Sequence, residues 1–451
     1  MKKIYLLLIV ILFLTEGCAS TLLKDKVDFI KVRGTQFELN GKPYYFVGTN
    51  FWYGCYLGSP GITGDRERLK RELDLLKEYG ITNIRVLAAS EKSYIKTSLN
   101  PAIQPEPGVL DEDLLEGLDY LLYEMKKRNM HAVVFLNNYW EWSGGFVVYN
   151  KWYGSGKEVD PNKPEYTWPD FMNYSAEFYR NEKANEYFRE FIKKIITRKN
   201  KFTNQFYFED PTIMAWQLAN EPRPGWGDAA LPYLDYFYKW IDETAAYIHS
   251  LDPNHLVTTG NEGLRGSLDS EEIYLKAHQS KNIDYMTFHL WPKNWGWFDA
   301  KRIEETLPST IEKAVNYINQ HLIYARQLNK PITLEEFGLS RDFEICSPGT
   351  PTTARDKYYK IIFEIVYDSA SAGAPIAGTN FWSWGGVGRG KNKDNIWRVG
   401  DPFVGDPPQE PQGFNSIYDT DLSTLSIIKE HSEKMNSLIL KGFIQKILSE
   451  K

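Results

Sequence analysis

Two glutamates stand where catalytic carboxylates would be useful. Glu221 follows the apolar run Ile213 to Leu218, and Glu336 follows Ile332 to Leu334, 115 residues further on. A carboxyl at the end of each of two buried strands can be presented to one cleft, the first holding a proton and the second ionised. Such a pair suits glycoside cleavage, and in enzymes that retain anomeric configuration the two groups lie about 5 Å apart. Neighbouring residue types fit the same chemistry. Asn220, beside Glu221, can donate a hydrogen bond to a sugar hydroxyl, Arg85 can stabilise an ionised carboxylate, and His289 can orient a carboxylate or a sugar hydroxyl.

These residues need a frame that gathers strand ends at one mouth. Eight short apolar runs recur: Tyr45 to Asn50, Asn83 to Leu87, His131 to Asn137, Ile213 to Leu218, Leu256 to Thr259, Tyr285 to His289, Ile332 to Glu336 and Ile376 to Trp382. Helix-period stretches lie between them, at Arg66 to Tyr79, Asp111 to Arg128, Asn185 to Asn200, Tyr233 to His249, Ser309 to Leu328 and Thr353 to Ala372. Nearly continuous apolar strands are strands covered on both faces, so the expected fold is α/β, a (β/α)8 TIM barrel with its site at the C-terminal strand ends. A doubly wound sheet would want a glycine-rich turn after its first strand, where this chain has Gly48-Thr49-Asn50-Phe51-Trp52. The loop Gly385 to Gly390 lacks the Lys-Ser/Thr ending of a phosphate loop. Residues 29–46 read as an N-terminal β-hairpin placed to close the barrel floor, and residues from Ser423 onward as one or two closing helices. No linker interrupts 29–451, which is read as a single catalytic domain.

Composition narrows the partners. A net charge of -6 offers no basic field for a polyanion, so nucleic acid is not expected. Aromatic residues make up 15% of the chain and cluster in polar segments such as Tyr139-Trp140-Glu141-Trp142 and Trp291 to Trp297, where flat rings can stack on sugar C–H faces. The N-terminus runs Lys2-Lys3, an apolar stretch Ile4 to Leu14, then Gly17-Cys18, the order of a secretory signal at 1–17. Gly17-Cys18 resembles a bacterial lipoprotein signal, with Thr15 where Leu is usual. It implies lipidation at Cys18, a tether over 18–28, and a secreted, membrane-anchored protein at the cell surface or in the periplasm. The membrane is expected to be a partner only through that lipid. Cys55 and Cys346 are left, as a bridge or as two free thiols. The seven histidines show no metal-ligand spacing, so neither metal nor cofactor is expected, and a monomer is.

Asn220-Glu221-Pro222 and Glu336-Phe337-Gly338 together resemble the signatures of glycoside hydrolase family 5, in clan A, and Arg85, His289 and Trp382 fall on the strands where that family has its Arg, His and Trp. The resemblance implies that Glu221 is the acid/base, Glu336 the nucleophile, and the outcome retention. Glu335 is the rival nucleophile; side chains alternate along a strand, so only one of the pair is expected to face the mouth. Two positions after His289 the family commonly has a Tyr whose hydroxyl bonds the nucleophile. This chain has Trp291, so either its indole N–H or another Tyr takes that part. Further stretches around Asn50 and Trp52, Asn137 and Trp140, Arg223, Trp291 and Trp382 look like endo-β-1,4-mannanase sequences. They imply β-mannan or its oligosaccharides as substrate, Arg223 binding the chain beyond the cleavage point, and Asn50, Trp52, Asn137 and Trp140 about the cleft. Exo-β-mannosidase, for which the long segment from Trp140 to Phe188 leaves room, endo-β-1,4-glucanase and a non-catalytic glycan-binding lipoprotein are the alternatives.

Overall fold

The computed structural model describes residues 28–449. The signal, most of the tether and Cys18 lie outside the described residues. A three-stranded antiparallel meander comes first, β1 (Lys31–Arg33), β2 (Gln36–Leu39) and β3 (Lys42–Tyr44), one strand more than the expected hairpin. Its Ile30, Phe37 and Tyr44 pack against Met214, Leu256 and Tyr285 in a core cluster separate from the main one. That cluster closes the barrel floor.

The eight expected strands follow as β4 (Phe46–Asn50), β5 (Asn83–Leu87), β6 (His131–Phe135), β7 (Ile213–Gln217), β8 (Leu256–Thr258), β9 (Met286–Leu290), β10 (Ile332–Phe337) and β11 (Ile376–Phe381). All pair in parallel, in the order β8-β7-β6-β5-β4-β11-β10-β9. A parallel bridge between Thr258 and Tyr285 joins the two ends, completing a (β/α)8 barrel. Almost every residue of these strands is buried, which is why their sequences show no alternation.

Local sequence sets the helix ends. Asp65, Asp111 and Asn181 cap Arg66–Glu78, Glu112–Lys127 and Glu182–Ile196 by accepting from backbone N–H groups of the first turn. Two further helices, Phe146–Tyr153 and Trp168–Ala176, fill the long segment after β6. Thr167 and Asp170 form a reciprocal capping box on the second. Beyond β11 a short strand β12 (Trp384–Gly386) pairs with β13 (Ile417–Tyr418), and one helix, Leu422–Ser449, closes the chain. The segment 387–415 between them is pinned from within: Asp406 is buried and accepts from the Gly413 and Asn415 N–H groups at 2.8 and 2.7 Å and from Ser416 Oγ at 2.5 Å. Cys55 and Cys346 are separate, buried free thiols, pushed up to about 12 and about 11 by burial.

Candidate active site

Arg85, on β5 and fully buried, organises the barrel mouth. Its Nη1 donates to Glu336 Oε1 and, at 3.0 Å, to Asn50 Oδ1; Nη2 donates to Asn220 Oδ1 at 2.7 Å and Nε to Gln217 Oε1 at 2.8 Å. One planar fork therefore fixes a carboxylate and three amides at once, which an ammonium could not do. Glu336 Oε2 accepts from Trp291 Nε1 at 3.2 Å. The indole thus occupies the place that the family resemblance gives to a Tyr hydroxyl. Gly338 makes room for it: a Cβ there would lie 2.9 Å from the Trp382 carbonyl and 3.3 Å from the Trp291 ring.

Strand alternation does not hold at Glu335 and Glu336. Leu334 pairs with Phe288 and Glu336 with His289, so the register slips and Glu335 is the extra residue of a β-bulge. Both side chains therefore turn inward. Glu336 reaches the mouth, while Glu335 lies beneath, taking the Gln217 amide and the Tyr285 hydroxyl (3.3 Å) and standing 3.8 Å from Arg85 Nε. Burial outweighs Arg85 and pushes the Glu335 carboxyl up.

Glu221 sits in the left-handed region, with φ of 51°, a conformation costly for any residue with a Cβ and concentrated at functional sites. Its Oε1 meets His289 Nδ1 at 2.6 Å and its Oε2 takes the Trp140 indole N–H at 2.5 Å. His289 Nδ1 is also 3.3 Å from Glu336 Oε2. One oxygen of each glutamate and a nitrogen of His289 all lie within 4.8 Å of one another. Burial alone would raise the Glu221 carboxyl, but the hydrogen bond and charge of His289, with help from Arg223 and Trp140, hold it below its ordinary range. Burial would likewise lower His289; the two carboxylates overcome it and raise the imidazole to about 9. The three could in principle chelate a cation, yet their atoms are already engaged by Arg85, Trp291 and Trp140, and an imidazolium stands between the carboxylates. The donor set suits a proton better than a metal.

Above this triad opens a cavity of about 960 Å3, lined by Glu221, Glu336, Asn220, Trp140, Arg223, Trp291 and Trp382 among the expected residues. Trp382 and Trp291 meet edge to face, with ring centroids 5.8 Å apart. Arg85 and His289, both fully buried, bond the glutamates and do not line the cavity, and three more expected residues lie elsewhere. Trp52 is wholly buried and donates to the Gly405 carbonyl at 2.7 Å, anchoring segment 387–415 from below instead of lining the cleft. Asn50 lies under the mouth, its amide given to the Glu335 carbonyl at 2.9 Å. Asn137 accepts from the Asn138 N–H at 2.8 Å, and Asn138 in turn holds Asn220 at 3.1 Å. Other wall residues were not anticipated. Glu262 binds Arg223 and, at 3.2 Å, the Trp295 indole; it follows β8 and obeys the same strand-end rule as Glu221. Glu410, on segment 387–415, is pushed up to about 8 by burial and by the charges of Asp406 and Glu336.

Known proteins are similar to this chain over most of its length. A sequence model of β-mannosidase-like proteins of glycoside hydrolase (GH) family 5 matches residues 27–439. The chain belongs to that family. It is a glycoside hydrolase. It is similar to the family 5 mannosidase from Rhizomucor miehei, with 35% identity and a TM-score of 0.84 over 92% of this chain and 99% of that one. The endo-1,4-β-mannanase from the same organism is also similar, with 25% identity and a TM-score of 0.66 over 91% and 100% of the two chains. Mannan endo-1,4-β-mannosidase 1 of Arabidopsis thaliana is 29% identical over 377 residues, which is 79% of this chain and 82% of that protein.

Proposed function

We propose that this glycoside hydrolase cleaves β-1,4-mannosidic bonds in mannan-derived chains by double displacement, with Glu336 as nucleophile and Glu221 as acid/base. The observation that carries the reading is the approach of the two carboxylates to within 4.8 Å at the floor of one cavity. Inverting enzymes leave roughly 6.5–9.5 Å for a water between the pair, so this spacing supports a covalent intermediate.

In the first step a Glu336 oxygen forms a bond to C1 while the C1–O bond to the leaving sugar breaks and Glu221 delivers a proton to the departing oxygen. In the second, water attacks C1, Glu221 takes its proton, and Glu336 leaves as carboxylate. A lowered Glu221 is compatible with the acid role because the pair shares one proton. The state with a protonated His289 and an ionised Glu221 has the same proton count as the state with both reversed, and a 2.6 Å hydrogen bond connects them. Arg85 and Trp291 hold Glu336 aimed into the cavity, and the second Asn220 amide hydrogen is left for a sugar hydroxyl.

Mannose as the sugar rests on the relatives. An exo mode, releasing one terminal mannose, is favoured by one feature of the wall: segment 387–415 places Gln409 and Glu410 in the cavity, beside the Trp382 that also lines it. Greater likeness to the Rhizomucor mannosidase than to the mannanase supports the same mode. Export on a lipid at Cys18 is part of the proposal. Chromatography of products from β-1,4-mannopentaose separates the modes, since mannose alone at the earliest times means exo and a ladder means endo. Faster release of reducing ends from carboxymethyl cellulose than from mannan would overturn the substrate. Glu336→Ala is expected to abolish turnover while keeping mannobiose binding by calorimetry, because a nucleophile acts in the chemical step. Unchanged turnover in that variant would overturn the mechanism.

A further inference from the structure

The cavity is larger than one sugar ring requires. At about 960 Å3 it lies near the top of the roughly 300–1,000 Å3 span of pockets that enclose whole drug-sized ligands. Which way the excess space runs follows from chemistry. The acid/base must touch the departing oxygen, so the departing portion of the substrate lies on the Glu221 side, and the elements extending that side can be followed outward.

Trp140, which donates to Glu221 Oε2, meets Trp168 edge to face with centroids 6.0 Å apart. Trp168 starts the capped helix Trp168–Ala176. From that same helix Asn173 Oδ1 accepts the backbone N–H of Trp226 at 2.9 Å. Trp226 lies five residues beyond Glu221, between Gly225 (φ 129°) and Gly227 (φ 58°). A Cβ on Gly225 would fall 2.8 Å from Asn173 Oδ1, so this presentation of Trp226 depends on a glycine there. Both indoles line the cavity, yet Trp168 is 44% and Trp226 51% exposed. Large rings held on a fixed frame at the lip of a site, with much of their surface in water, have contact area still to bury.

We infer that Trp168 and Trp226 are stacking platforms for sugars of the departing chain beyond the first, so that the preferred substrates are chains of three or more mannose units. This rests on the β-mannoside reading above and deepens it. Two indoles joined through one helix form a rigid lip, and a rigid platform binds without the ordering cost of a mobile loop.

The test compares kcat/KM for β-1,4-mannotetraose and for 4-nitrophenyl β-mannoside, whose leaving group is a single ring with no second sugar beyond it. In wild type the ratio of tetraose to aryl substrate is expected to be high. In Trp226→Ala and in Trp168→Ala it falls by roughly tenfold, the size of one aromatic contact, and Trp→Phe at either position recovers most of it. The ratio does not depend on the fraction of active protein, so a poorly folding variant still reports. A ratio unchanged in both Ala variants, or a wild type that turns over mannobiose and mannotetraose equally well, overturns the platforms while leaving the enzyme a β-mannoside hydrolase. A wild type that hydrolyses neither substrate overturns the functional reading itself.

Discussion

Replacing His289 with Asn asks where the catalytic proton is kept. The imidazole stands 2.6 Å from Glu221 and 3.3 Å from Glu336, and the two carboxylates move it from an ordinary 6.5 to about 9 against the opposing effect of burial. At roughly 1.4 kcal/mol per tenfold change in proton affinity, that difference is worth about 3 kcal/mol to the proton. A group raised in this way keeps its proton below the raised value and loses it as pH climbs through it, so the alkaline limb of kcat/KM should fall near 9. Without the ring, two carboxylates face each other and the proton can reside only on Glu221. There burial and the Glu336 charge raise it, but the imidazole that the two carboxylates bring to about 9 is gone. The alkaline limb of His289→Asn should therefore move down from the wild-type position near 9. Initial rates on an aryl β-mannoside, measured from about pH 4 to pH 10, read the limb directly because kcat/KM reports free-enzyme ionisations. A limb still near 9 in the variant would refute the assignment of the proton to the His289–Glu221 pair.

Three further outcomes follow from named contacts. Glu221→Ala should slow hydrolysis of mannobiose at least about 100-fold more than that of a dinitrophenyl β-mannoside, whose phenolate departs unprotonated; equal losses in the two kcat/KM values would exclude Glu221 as the acid. Trp52→Phe strips the Gly405 carbonyl of its buried donor and should cost about 1–3 kcal/mol by denaturant titration, whereas a stability equal to wild type would mean segment 387–415 is held by other contacts. Burial pushes His278, His321 and His431 down to about 3, against an ordinary 6.5. Between those values the unfolded chain binds more protons than the folded one, so stability is complete above about 6.5 and drains as pH falls toward 3. The Tm should drop steeply across that window, and a flat Tm would show that these rings take up protons without unfolding.

The barrel was legible because parallel strands buried on both faces leave uninterrupted apolar runs, and all eight appear within a residue or two of their observed bounds. The two glutamates were legible because they end such runs. The strand-end rule is silent on direction, however: it could not tell that Trp52 and Asn50 turn under the floor of the site while Trp140 and Arg223 turn into it. Glu262 obeyed the rule and was overlooked. Glu410 obeyed no rule, being 29 residues past the end of β11 in an irregular segment held by an internal aspartate. The short helices Phe146–Tyr153 and Trp168–Ala176 carry too few turns for a period to emerge, although the capping box at Thr167 and Asp170 was in plain view.

The slip at Glu335 is a matter of backbone geometry that residue identities do not record. Two adjacent acids in different settings, one lining the cavity and one bracing the barrel interior, exist only because β10 carries a single surplus residue opposite β9. Removing Glu335 would thus be no mild truncation, since a one-residue offset would swing Glu336 out of the mouth. Anyone transplanting this chemistry to another barrel would have to graft the offset along with the glutamate.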